Sequence, residues 1–129
     1  MTDTQTVHLL HLLNYRMITE TDERVVIQMP NRPDLANVRG ALQGGLVATL
    51  IDIAAGILAG RHVAENQDVT TADLNIHYLA PVVEGPARAE ATIVSAGKRL
   101  IVTAVDLTDV ARRRLAARAT LSFAVLDRR

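Results

Sequence analysis

The chain contains no cysteine and no tryptophan, and its aromatic residues are Tyr15, Tyr78 and Phe123. Without cysteine, disulfides, thiolate nucleophiles and cysteine-ligated metals are excluded. There is no charge of one sign to spare: fourteen acidic residues balance fourteen basic ones. A dedicated nucleic-acid binder carries a basic excess and usually interleaves aromatics for stacking, and this chain has neither. The basic run Arg112-Arg113-Arg114 with Arg118 therefore reads as a solvated hairpin tip. Long apolar runs are also missing. The stretch from Leu46 to Gly60 is broken by Thr49 and Asp52 and is too short to span a bilayer. The start, Met1-Thr2-Asp3-Thr4-Gln5-Thr6, lacks the basic opening and apolar centre of a signal peptide, so a cytoplasmic protein is expected. His8 and His11 are three apart, but no third ligand stands nearby; two surface histidines and no metal are expected.

What is present is the material of a folded chain. Hydrophobic residues make up 49% and charged ones 22% of 129 residues, which suffices for one core and one domain over 1–129. The organising stretch is Gln43 to Ala59, which reads as one long helix opening on Gly44-Gly45. At about 100° per residue, Val47, Leu50, Ile51, Ala54 and Leu58 form an apolar stripe wide enough to cover a sheet. Gly45, Ala48, Asp52, Ala55, Gly56 and Ala59 form a second face of small residues around one carboxylate. A solvated face would carry Lys or Glu there, so a partner subunit, a ligand or both are expected against it. A carboxylate with restricted access to water needs a task or a partner.

The remaining segments read as strands. Tyr15 to Glu20 and Arg24 to Met29 flank the polar Thr21-Asp22-Glu23 and predict a hairpin. Val7 to Leu13, within a leading 1–14 that is either helical or poorly ordered, fits a short helix or a first strand. Pro30 and Pro33 impose an irregular path up to Arg39. After a polar connection from Arg61 to Asp68 come Val69 to Leu79, Ala87 to Ser95, Leu100 to Leu107 and Leu115 to Leu126. The last three lie at hairpin spacing and predict an antiparallel meander. Strict alternation puts Thr71 on one face with Asp73, Asn75 and His77, and turns Ala72, Leu74, Ile76 and Tyr78 inward. Strands around a single long helix make an α+β layout.

The run Asn37-Val38-Arg39-Gly40-Ala41-Leu42-Gln43-Gly44-Gly45, then Asp52, then Thr71-Ala72-Asp73-Leu74-Asn75-Ile76-His77-Tyr78-Leu79-Ala80-Pro81, resembles the hotdog-fold acyl-CoA thioesterases. The phenylacetate-pathway (PaaI-type) branch is the nearest likeness, extending from about Tyr15 to Leu126. The resemblance implies a hotdog fold, one long helix wrapped by a curled antiparallel sheet. It also implies dimers joined edge to edge that pair into homotetramers, with active sites between subunits. On this likeness Asp52 is the catalytic carboxylate and Gly44 supplies the N–H that polarises the thioester carbonyl. Asn37 helps place the attacking water, and Thr71 is the small hydroxyl residue on the strand after the helix. Carboxylate and glycine of one site would come from opposite subunits. Coenzyme A is then part of the substrate, with no separate cofactor. One departure is Gln43, where the family usually has histidine; glutamine exchanges hydrogen bonds but cannot titrate.

The residues suit that chemistry. A carboxylate can activate water or attack a thioester directly, and poor solvation raises its basicity. The N–H groups of a helix's first turn have no partner within the helix and carry the positive end of its dipole. Arg39, Lys98 and Arg99 are candidates for the phosphates of coenzyme A. Each residue alone has a structural reading: Gly44-Gly45 a helix-opening turn, Asp52 an ion-pair partner, Asn37 a cap, Thr71 a β-former, the cations surface charges. A competing function is a non-catalytic acyl-CoA or acyl-carrier binding protein, motivated by Gln43. An enoyl-thioester hydratase is disfavoured because the histidine of its acid–base pair is missing. The acyl group stays open.

Overall fold

Thr21 turns the chain back on itself: its hydroxyl accepts from the N–H of Glu23 (3.3 Å) and of Arg24 (3.0 Å). The expected hairpin results, β1 (Arg16–Glu20) antiparallel to β2 (Arg24–Met29). A computed structural model of the protein describes residues 8–128. Residues 1–7, which include the expected beginning of the leading segment at Val7, and Arg129 lie outside the described residues. That leading segment is a short helix, α1 (Leu9–Leu12), whose N–H of Leu10 is capped by His8 Nδ1.

After a single tight turn at Pro33–Leu35 the long helix α2 runs from Gly44 to Gly60. Then come β3 (Gln67–Tyr78), β4 (Ala87–Ala96), β5 (Leu100–Asp109) and β6 (Arg114–Asp127). The described residues form one six-stranded sheet in the order β1-β2-β4-β5-β6-β3, every neighbouring pair antiparallel. The meander β4-β5-β6 stands as expected. β3 returns to the far edge beyond β6, beside which it pairs from Gln67 to Tyr78.

The helix covers the sheet with the predicted stripe: Val47, Leu50, Ile51, Ala54 and Leu58 are buried. Beneath it β4 offers Ala87, Ala89 and Ala91, all buried, and small side chains there let the helix lie close. Phe123, Leu121, Ile101 and Leu107 fill the flanks. Each fully buried large aliphatic contributes about 1.5–3 kcal/mol relative to exposure.

The small-residue face divides in two. Ala55 and Ala59 are fully buried within the chain itself, and a side chain at Gly56 would meet the Phe123 ring at 3.7 Å. Their own sheet lies against Ala55 and Ala59, and Phe123 stands at ordinary contact distance beside Gly56. Gly45, Ala48 and Asp52 stay open or half-open.

The pairing of β3 departs from strict alternation. Its register slips between Thr71, which faces Phe123, and Asp73, which faces Ser122, leaving Ala72 as an extra residue. Such a bulge resets the alternation. Phe123 and Leu121 point to the helix, so their partners Thr71 and Leu74 do too. Thr71 therefore parts from Asp73, Asn75 and His77, contrary to strict alternation.

One buried carboxylate secures the approach to the helix. Asp109, fully buried at the end of β5, accepts from the N–H of Val83 (3.0 Å), Glu84 (3.2 Å) and Gly85 (2.8 Å). Burial pushes its pKa up, but these N–H donors outweigh that and hold it below the usual aspartate range. The loop so held presents the carbonyl of Val82, which accepts from Leu42 N–H at 2.9 Å just ahead of α2.

Candidate active site

Asn37 shapes the loop that leads into α2. Its Oδ1 accepts from the N–H of Arg39 (2.9 Å) and Ala41 (3.2 Å), which closes a turn around Gly40, a glycine at φ +83°. Its oxygen is thus a structural acceptor. Among the described residues its Nδ2 donates to nothing and stays available at the surface.

Gln43 is the N-cap in extended conformation, with its N–H held by Leu35 O at 3.1 Å but no side-chain cap bond. Gln43, Gly44 and Gly45 are all exposed. Among the described residues nothing accepts from the N–H of Gly44 or Gly45, as expected for the first turn of a helix. Beside them opens a cleft of about 360 Å³, lined by Asn37, Gly44, Val47, Tyr78, Val82 and Ala116 among others.

Asp52 sits two turns further on. It is half-buried, and Thr71 Oγ1 donates to its Oδ1 at 2.8 Å. The bulge in β3 is what brings that hydroxyl to the helix. Asp52 does not line the cleft beside Gly44. Eight residues at a rise of about 1.5 Å each put the two about 12 Å apart along the axis.

Within the chain, therefore, Asn37 and Gly44 line one cleft and Thr71 bonds Asp52, and the two groupings stay apart. The candidate phosphate binders are divided too. Arg39 belongs to the turn before α2, whereas Lys98 and Arg99 lie in the β4–β5 turn, where Lys98 lines a depression with His62 and Val63 beyond the end of the helix. Among the described residues none of the three forms an ion pair, while Arg112 and Arg118 of the basic run are tied to Glu84 and Asp106. Sequence reasoning passed over Tyr78 as a site residue. Its Oη donates to Gly44 O at 2.7 Å, a link between β3 and α2 that alternation alone, which turned Tyr78 inward, only half announced.

The model of the thioesterase superfamily matches residues 39–116, well over half of the chain. The chain belongs to the thioesterase superfamily. The match takes in Gly44, Asp52, Thr71 and Tyr78, and begins just after Asn37. Human acyl-coenzyme A thioesterase 13 is 32% identical over 104 residues, covering 78% of this chain and 72% of its own. A Saccharolobus solfataricus protein provisionally named an esterase is 31% identical over 114 residues, 88% of this chain and 80% of its own. A Bacillus halodurans protein solved with CoA superposes with a TM-score of 0.74 at 35% identity, over 78% of this chain and 66% of that one. Solved thioesterases share the fold, so this superfamily member has the hotdog architecture: one helix laid in a curled antiparallel sheet. It is a thioester hydrolase by family, and its relatives are named as thioesterases and esterases. Among the described residues no helix is long and apolar enough to cross a membrane.

Proposed function

We propose that the protein is an acyl-CoA thioesterase of the PaaI type, working in the cytoplasm as a homodimer that assembles to a tetramer, with each active site shared between two protomers. The observation that carries this reading is the separation of Asp52 from Gly44 along one helix. Attacking water and carbonyl oxygen of one thioester sit a few ångströms apart, whereas these two groups are about 12 Å apart within a protomer. Two helices side by side would complete the site, Asp52 from one and Gly44 from the other. The open stretch of Gly45, Ala48 and Asp52 suits such an approach.

In this mechanism Asp52 takes a proton from water as the water oxygen attacks the thioester carbon. The developing oxyanion is held by Gly44 N–H, assisted by the helix dipole. The tetrahedral intermediate collapses with cleavage of the C–S bond, and the thiolate leaves as coenzyme A with the proton that Asp52 returns. Thr71 fixes the carboxylate by occupying Oδ1, which leaves Oδ2 for water. Asn37 offers its free Nδ2 to the water or the carbonyl, while Gln43 stands exposed where it can hydrogen-bond substrate without titrating. Arg39, Lys98 and Arg99 serve the phosphates. Because α2 is about 25 Å long, Arg39 on one side and Lys98 with Arg99 on the other cannot share one phosphate within a protomer.

The test is thiol release from short, medium, long and phenylacetyl CoA thioesters, wild type beside Asp52→Ala. Turnover in the wild type that collapses in the variant supports the reading and reports the acyl class. Saturable acyl-CoA binding without turnover in either would overturn it in favour of a non-catalytic acyl-CoA or acyl-carrier binding protein.

A further inference from the structure

The turn proposed to bind the oxyanion is made from the most mobile residue type. Gly44 and Gly45 open α2, and Gln43 contributes no side-chain cap. Glycine gives the carbonyl room to approach, but it also leaves the donors poorly fixed, and an oxyanion site works by being fixed before the reaction. Something else must hold this turn.

Two hydroxyls do. Thr49 Oγ1 donates to Gly45 O at 2.8 Å, a bond local to the helix. Tyr78 Oη donates to Gly44 O at 2.7 Å from β3, and so ties the turn to the sheet. The ring lies on Gly44 as well: a Cβ there would stand 3.5 Å from Tyr78 Cε1. The same strand carries Thr71, which holds Asp52. Tyr78 is 55% exposed, so its hydroxyl has water at hand and is not driven onto Gly44 by burial. The carbonyl of Gly44 and the N–H of Gly45 belong to one planar peptide group. A bond accepted at that carbonyl orients the plane and polarises the N–H at its other end. The flanking N–H of Gly44 is restrained through the same Cα.

We propose that Tyr78 is a positioning residue that fixes the Gly44–Gly45 peptide and, through the shared Gly44 Cα, holds the Gly44 N–H in its oxyanion-binding orientation. The proposal rests on the thioesterase reading of this site. Tyr78 acts on the donors through the backbone and takes no proton in the reaction.

The experiment is Tyr78→Phe in the full-length assembled protein, which removes one oxygen and keeps the ring on Gly44. The kinetic expectation is a fall in kcat of about three- to tenfold, the range one neutral hydrogen bond supports, with KM within about twofold. Oligomeric state and melting temperature should match the wild type. In spectra of glycine-labelled protein the Gly45 amide proton should move upfield as its peptide loses polarisation. Wild-type kcat in the variant, or a rise in KM at unchanged kcat, would overturn the positioning role; the latter would make Tyr78 a substrate contact. Asp52→Ala, run alongside, separates the two readings. If the wild type itself turns over no thioester, the thioesterase reading fails and the oxyanion role fails with it, and the Gly45 resonance alone then decides whether Tyr78 fixes this peptide. An unmoved resonance overturns that too.

Discussion

Thr71 donates to Asp52 Oδ1 at 2.8 Å from a strand in which an unbroken alternation would have turned it away from the helix. One extra residue, Ala72, makes the difference. The bond uses one carboxylate oxygen, and among the described residues no hydrogen bond is made to the other. Thr71→Val keeps the shape and removes the donor. Hydrogen bonds to charged groups are stronger than neutral ones, so kcat should fall by about tenfold. Thr71→Ser should retain most of the activity. Both variants should melt close to the wild type, because Thr71 is exposed. Steady-state kinetics beside a thermal melt checks this.

Asp52→Ala should lower kcat by a factor of about 10²–10⁴, the usual contribution of a general base, while leaving the fold intact. Asp52 is half-exposed, so no buried charge is left unpaired by the change. Circular dichroism would establish that the fold survives. An active Asp52→Ala protein would remove Asp52 from the mechanism.

Gly44→Ala separates room for substrate from room for the fold. The new Cβ would meet the Tyr78 ring at 3.5–3.7 Å, which is ordinary contact, and alanine is a better helix former. Stability should hold or rise slightly. Under the proposed mechanism turnover should fall, because the added methyl group narrows the approach to the Gly44 N–H. A variant that is both stable and fully active would show that no substrate comes this close to the backbone.

Asp109→Asn should destabilise the protein by about 1–3 kcal/mol, because an amide replaces a carboxylate that takes three backbone N–H donors in a buried site. Its folded pKa lies below the ordinary aspartate value of 3.8. Between those two values the unfolded chain binds more protons than the folded one, so stability rises with pH there. The contribution is complete above about pH 5 and is lost as pH falls through the folded value. Urea unfolding across the acid range should show a shallower pH dependence in Asp109→Asn. Equal slopes would sink the assignment.

Much of this protein was legible in the order of its residues. The helix Gly44–Gly60 follows from an apolar period that holds over about three turns, and the hairpins follow from short runs separated by polar turns. Such signals are local: each rests on residues within a few positions of one another, so no knowledge of the rest of the chain is needed. The absence of cysteine and of net charge is equally final, because composition does not depend on folding. Gly44 and Asp52 stood out in sequence as well, the one as a helix opening and the other as a lone carboxylate.

Other features needed the tertiary structure. The bulge at Ala72 arises from how β3 pairs with β6, dozens of residues away, and no local period registers it. Ala55, Gly56 and Ala59 look in sequence like part of a face awaiting a partner, yet their own sheet covers the first and last and places Phe123 beside the second. Asp109 is an ordinary strand residue until the loop at 83–85 folds onto it. Tyr78 is an ordinary inward aromatic until the edge strand carries its hydroxyl to Gly44. In each case the property belongs to a contact between distant segments, and a sequence records the segments without recording which of them will meet.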